Sequence, residues 1–377
     1  MEARSWWAGA LALAIGVAAQ TAGAQGVNKD AILIGQSAVL SGPDASIGRE
    51  YQTGAKLYFD SVNQAGGVNG RQIVLESMDD AFKAENVVAN TKKLIEEKQV
   101  FALFGYTGGN STLAAIPAID AAKIPLVGVF TGNQTLRTPV NRQVFNTRAG
   151  YYAEIDYAIT TLLSMGMKRV AVVHFDDKGG KDSGDRVAAE AKKRGGEVVV
   201  QAGIERGSVK VEAAVKEINA KKPNAVVLVL THKAGAALIR QLRVPGSAYQ
   251  FINLSFTNAD ELVKELGPLA GGVGFVQVVP YPHSGLTSIA SEFRKLAAAA
   301  KRTPSYISME GFVAAKVLVE GLRRAGPTPT RAKFVAGLED GRPIEMGEFT
   351  LVYSPTDHTG GAWAEMTMAS KEGRMLR

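Results

Sequence analysis

Val100-Phe101-Ala102-Leu103-Phe104-Gly105-Tyr106-Thr107-Gly108-Gly109-Asn110-Ser111-Thr112 is an apolar run that breaks on glycine and passes into small, hydroxyl-bearing residues. Val100 to Gly105 is short, continuous and rich in Val, Leu and Phe, which reads as a strand buried on both faces of a parallel sheet. The residues from Gly105 to Thr112 leave the strand and open a helix; their glycines permit close backbone approach, and Ser111 and Thr112 supply hydroxyls. Parallel α/β sheets bind ligands at such strand ends, against the unpaired N–H groups of a helix N-terminus.

The same alternation runs outward in both directions. Ala31 to Ser37, Gln72 to Met78 and Pro125 to Phe130 read as further buried strands. Tyr51, Ala55, Tyr58 and Val62 recur at helical spacing between the first two, and Gly66-Gly67-Val68-Asn69-Gly70 stops that helix. Val87, Val88, Thr91, Leu94 and Ile95 make a second helical stripe before Val100. Past Gly150 the pattern restarts with a helix from Tyr152 to Met165, a strand from Arg169 to Phe175 and a helix from Lys181 to Arg194. Glu197 to Val200, Ala225 to Leu230 and Gln250 to Leu254 are further strands, separated by helices at Val211 to Ala220 and Ala234 to Arg243.

Two such sets predict an α/β fold of two doubly wound parallel-sheet lobes. Beyond them, strands at Phe275 to Val279, Phe349 to Tyr353 and Ala362 to Met368 and helices at Ser291 to Lys301 and Ser305 to Ala325 hold too little strand for a separate sheet. This segment is expected to return to the first lobe and cross again near the end. Lobe 1 is then 28–148 plus 278–360 and lobe 2 is 149–277 plus 361–377, joined by a multi-strand hinge.

Composition agrees with this and removes other classes. A chain of 377 residues with 46% apolar and 21% charged content and no cysteine is not disordered, collagenous or a disulfide-stapled miniprotein. One core stops growing at about 250 to 300 residues, so two are expected. The net charge of +7 is dispersed, with no run of five like charges, so nucleic acid is not expected as a partner.

The N-terminus predicts a location. Arg4 precedes an apolar run from Trp6 to Ala19, followed by Ala22-Gly23-Ala24, the small-x-small form of a cleavage site. The run shows no polar face, unlike a core helix, and is shorter than the roughly 20 residues that span a bilayer. Residues 1–24 therefore read as a secretory signal cleaved near Ala24. With no cysteine for a lipid anchor, a freely diffusing periplasmic monomer is expected.

Catalytic signatures are missing. There is no His-Glu-x-x-His, no Gly-x-Ser-x-Gly and no cysteine nucleophile, and His174, His232, His283 and His358 are scattered. Gly179-Gly180-Lys181-Asp182-Ser183 fails the phosphate-loop spacing at both ends, and Gly271-Gly272-Val273-Gly274 precedes a strand where a dinucleotide fingerprint follows one. No metal or cofactor is expected. Asp79-Asp80 and Asp176-Asp177 each end a strand, where solvated turn carboxylates are commoner than an acid/base pair. A secreted α/β enzyme using these acids on a polar substrate is the main alternative to a binding protein.

What remains is a binding surface at the strand ends. Besides Gly105 to Thr112, Phe130-Thr131-Gly132-Asn133 follows the next strand and Leu40-Ser41-Gly42-Pro43 the first. Their hydroxyls could simply cap helices. With both loops rich in glycine and hydroxyl groups, a carboxylate-binding role is favoured.

Leu40-Ser41-Gly42-Pro43, Gly66 to Gly70, Asp79-Asp80, Gly105 to Thr112 and Ser305 to Gly311 with Glu310, in this order along almost the whole chain, resemble the leucine/isoleucine/valine-binding family of type I periplasmic solute receptors. The resemblance implies a two-lobed receptor that closes on a branched-chain-type amino acid or related small carboxylate and presents the closed form to the membrane permease of an ABC importer. It implies an anion contact from Gly108 to Thr112, with Gly132, beside Thr131, at the next hydroxyl position. Ser255 stands where the family has an acid for the ammonium group, and Gly179 where it has an aromatic lid. The expected ligand contacts are Ser41, Tyr106, Thr107, Gly109, Asn110, Ser111, Thr112, Phe130, Thr131 and Gly132 on lobe 1, facing Tyr151, Tyr152, His232, Ser255 and Tyr281. A neutral Ser cannot balance a buried ammonium, so the amine is expected to be optional. A sensory receptor without transport would need the same clamshell.

Overall fold

The protein is described by a computed structural model over residues 25–377; the expected signal, residues 1–24, lies outside the described residues. β1 (Ala31–Ala38), α1 (Ala45–Gln64), β2 (Gln72–Asp79), α2 (Ala84–Glu96), β3 (Ala102–Phe104), α3 (Gly109–Ala121), β4 (Leu126–Val127) and β5 (Val144–Phe145) build the first lobe's sheet, ordered β2-β1-β3-β4-β5 and parallel throughout. β3 and β4 are shorter than the apolar runs predict because Gly105 and Gly128, at φ 60° and 72°, turn the backbone out of the ladder. The apolar residues beyond those breaks are still buried.

The second set is α4 (Tyr151–Ser164), β6 (Arg169–Phe175), α5 (Lys178–Lys193), β7 (Glu197–Ile204), α6 (Glu212–Lys221), β8 (Ala225–Val229), α7 (His232–Leu242), β9 (Gln250–Asn253), α8 (Ala259–Leu266) and β10 (Gly274–Gln277). β7 runs four residues past its expected end at Val200. It is an edge strand whose alternation includes exposed Gln201, so its apolar run is shorter than its ladder. The chain then passes through α9 (Ser288–Ala299), α10 (Tyr306–Ala325), α11 (Arg331–Leu338), β11 (Ile344–Glu345), β12 (Thr350–Ser354), β13 (Asp357–Gly360), β14 (Glu365–Ala369) and β15 (Met375–Leu376). The second sheet is ordered β15-β14-β10-β9-β8-β6-β7, parallel except for β14 and β15.

One expectation is corrected here: the C-terminal part does hold a separate sheet, the antiparallel β11-β12-β13. Its strands are short, and β12 alternates buried Leu351 and Tyr353 with exposed Val352. One such face, laid on the first core, suffices to bury it. α10 returns to α1 in the same core, where Gly54 lies against the Ser308 carbonyl and Gly311 against that of Tyr51, leaving no room for a Cβ at either glycine. The chain passes between the two layers at 146–150, 278–287 and 361–364. Among the described residues, no helix is long and apolar enough to cross a membrane.

Candidate functional site

The carboxyl ends of the two parallel sheets face each other, and a cavity of about 290 Å3 lies between them. The first lobe contributes Ile47 of α1, Phe82, the α3 N-terminus from Gly108 to Ser111, and Phe130, Thr131 and Asn133. Facing these from the second lobe are Tyr151, Phe175, Asp177, the start of α5, Arg206, Val229 and Phe256. The lobes touch around the cavity. Asn258 Nδ2 donates to Glu50 Oε1 at 2.8 Å and to Ser46 Oγ at 3.2 Å, and a Cβ on Gly179 would lie 3.3 Å from Asn133 Nδ2.

The α3 N-terminus is built to meet an anion through its backbone. Gly108, at φ 88°, is the N-cap and has no side chain to satisfy the first-turn amides. The hydroxyls read from the sequence do something else. Ser111 Oγ donates to Thr107 O at 3.0 Å, and Thr112 Oγ1 donates to Gly108 O at 2.6 Å from a fully buried position. Their protons are committed, so the donors left on this wall are backbone N–H groups and the Asn110 and Asn133 amides.

Phe82 forms part of the first lobe's wall. Ala81 and Phe82 stand at φ 49° and 63°, a costly region for a bulky side chain. Two carboxylates hold them there: Asp79 Oδ1 accepts from Ala81 N and Leu40 N, both at 2.9 Å, and Asp80 Oδ1 accepts from Phe82 N at 2.8 Å. Burial pushes the Asp80 carboxyl up to about 6. The pair shapes a turn. Of the other acid pair, Asp176 is matched to Lys181 at 2.8 Å, and Asp177 caps α5 by accepting from Gly180 N at 2.9 Å.

Behind the aromatic wall lies a buried charge cluster at the first crossing. Arg148 is 3.0 Å from Glu154 and 3.2 Å from Glu310, contacts Ser255 Oγ, and lies over the rings of Phe130 at 5.1 Å and Tyr151 at 5.9 Å. Ser255 also gives its N–H and hydroxyl to Glu154 at 2.8 and 2.9 Å, so its hydrogen bonding is spent inside the cluster. Glu310 has the ion pair but no aligned hydrogen bond. Burial, reinforced by Glu154 and only partly opposed by Arg148, pushes its carboxyl up to about 7.

A raised folded-state value means that the folded protein holds this proton while the unfolded chain releases it near 4.5, so stability falls as pH rises through that interval and levels above about 7. Urea unfolding at about pH 5 and about pH 8 is expected to show a loss from this group on the order of 2 kcal/mol. Glu310→Gln should remove that component. Parallel profiles for the two proteins would refute the assignment.

Of the expected contacts, the structure brings Gly109, Asn110, Ser111, Phe130, Thr131 and Tyr151 to the cavity. The others lie elsewhere. Ser41 is on an exposed turn. Tyr106 turns into the core to meet Thr91, and Thr107 Oγ1 accepts from Val39 N at 2.8 Å. Thr112 and Ser255 are spent as above, and the Gly132 carbonyl accepts the Tyr151 N–H at 2.7 Å. Tyr152 donates to Asp182, His232 is buried 3.9 Å from Asp44, and Tyr281 packs beside Tyr306 and His283.

Phe82, Asn133, Phe175, Asp177, Arg206 and Phe256 were not anticipated as contacts. Asn133 and Asp177 stood in motifs already singled out. Arg206 was hidden by the shorter reading of β7: extended to Ile204, that strand puts Arg206 in its carboxyl-end loop. Among the described residues, no group of three or more acidic or histidine side chains could hold a metal ion.

A family model described as periplasmic binding protein matches residues 31–373. The chain is 29% identical over 333 residues, 86% of its length and 88% of the relative's, to Leu/Ile/Val-binding protein homolog 3 of Brucella melitensis. It superposes with a TM-score of 0.85 on a substrate-binding periplasmic protein from Ralstonia solanacearum, at 32% identity over 92% of this chain and 99% of that one. A possible leucine/isoleucine/valine-binding protein from Rhodopirellula baltica gives a TM-score of 0.86 at 26% identity, covering 93% and 97%.

Proposed function

The chain belongs to the periplasmic binding protein family, a family of substrate-binding proteins and not of enzymes, and on that premise we propose that it is the periplasmic solute receptor of an ABC importer. In this reading the signal at residues 1–24 directs export and is cleaved near Ala24. Lobe 1 (28–148 plus 278–360) and lobe 2 (149–277 plus 361–377) close as a clamshell on an amino acid or related small carboxylate. A membrane permease then recognises the closed monomer. Closure follows from differential affinity: contacts such as Asn258 to Glu50 form only when the lobes meet, so ligand that bridges them shifts the population to the closed state.

The observation that carries the reading is the interlobe cavity with the uncapped α3 N-terminus on one wall. Backbone N–H groups at the edge of a largely apolar space suit a carboxylate head on an apolar body. Calorimetry against amino acids, organic acids and carboxylate-free solutes is expected to find micromolar binding, about 8 kcal/mol, among the carboxylates. Tight binding confined to neutral, carboxylate-free solutes would overturn it.

A further inference from the structure

The cavity's charges cancel among themselves. Its lining contains one acid, Asp177, and one base, Arg206, and they are paired: Asp177 Oδ2 accepts from Arg206 Nε at 2.8 Å and lies 2.7 Å from Nη2. The other Asp177 oxygen, Oδ1, is the N-cap acceptor for Gly180 N at 2.9 Å. Arg206 is held in place by more than this bridge. Its guanidinium lies 4.2 Å over the Phe175 ring of the second lobe and 5.8 Å from the Phe82 ring of the first, so it roofs the cavity where the lobes meet. Three other acids are nearby and absent from the lining: Glu154 and Glu310 sit behind Phe130 and Tyr151 in the Arg148 cluster, and Asp44, within Coulombic range of Arg206, lies 3.9 Å from His232.

A zwitterionic amino acid needs a carboxylate for its ammonium group, because an unpaired buried cation costs several kcal/mol. Here the one acid in the lining is already neutralised on one oxygen and capped on the other. We propose that Asp177 and Arg206 set the ligand class by this mutual masking, and that the cavity takes an apolar monocarboxylate lacking an α-ammonium group. The inference rests on the carboxylate-receptor reading and narrows it. Arg206 acts on specificity by occupying Asp177, and Phe82, pinned by Asp79 and Asp80, completes its seat.

The test compares matched pairs by calorimetry: leucine with 4-methylpentanoate, and phenylalanine with 3-phenylpropanoate. Wild type is expected to bind each des-amino acid at least about tenfold more tightly than the amino acid. Arg206→Met keeps an apolar chain between the rings and unmasks Asp177, and should move the ratio about tenfold toward the amino acid. Adding Asp177→Asn, which retains a capping oxygen, should cancel that gain. This double variant separates a specific ammonium contact from a general loosening of the roof.

Amino acids bound by wild type as tightly as their analogues, or an unchanged ratio in Arg206→Met, would overturn the masking while leaving a carboxylate receptor standing. Failure of all four acids to bind wild type would overturn the masking for these ligands, whereas the carboxylate reading itself falls only on tight binding confined to carboxylate-free solutes.

Discussion

Arg148→Ala is expected to destabilise the protein by about 3–5 kcal/mol, the range for removing one member of a buried ion pair. Arg148 is the cation within reach of two fully enclosed carboxylates, Glu154 and Glu310, and contributes to holding the aromatic wall through Phe130 and Tyr151. Without it, Glu154 loses its ion-pair partner in a water-poor site beside Glu310, so it too must take up a proton or the crossing must open. Urea unfolding midpoints at fixed pH measure the loss. Glu154→Gln with Glu310→Gln in the Arg148→Ala background should recover part of it, since the uncompensated charges are then gone. A cost below about 1 kcal/mol, the scale of an exposed pair, would show that the cluster is hydrated and that the buried assignment is wrong.

Gly109→Val is expected to reduce ligand affinity by at least about a hundredfold, through loss of charge-assisted hydrogen bonds to the ligand. A Cβ at this position would stand 2.7 Å from Asn133 Cβ and 2.9 Å from Thr131 Oγ1, and the further methyls of valine have only the cavity wall to enter. Asn133 cannot yield cheaply, because its backbone comes directly after the Phe130 to Gly132 turn and its side chain caps the next turn by accepting from Thr135 N at 2.9 Å. Overpacking of this kind costs about 1–3 kcal/mol of stability, so the variant should still fold. Calorimetry with the tightest carboxylate from the panel, alongside thermal unfolding, separates the two effects. Undiminished affinity in a folded Gly109→Val protein would mean that the α3 N-terminus does not hold the ligand.

How far each feature could be read from sequence depends on the range of the interactions behind it. The strand from Arg169 to Phe175 matched its apolar run to the residue, because a central strand is buried on both faces and its pattern is unbroken. β7 lost half its length in the reading because an edge strand shows water one side. Ser111 and Thr112 stand in the first turn of α3, where the sequence opens a helix, yet their hydroxyl protons go to carbonyls one turn back, a local competition that composition does not reveal. Ser255 fell at its expected strand end, but its partners Arg148 and Glu154 lie about a hundred residues away in sequence.

By itself the sequence determined the alternation of strands and helices, the two lobes and the glycine-rich loops at the strand ends, because hydrophobic periodicity and backbone freedom act over neighbouring residues. Only the tertiary structure decided which loop residues face the cavity and which charges are spent on one another. Arg206 meets Asp177 across 29 residues of chain, and Glu310 meets Arg148 from a helix that returns to the first lobe. Pairings of that range depend on the packing of whole sheets, which no local pattern encodes.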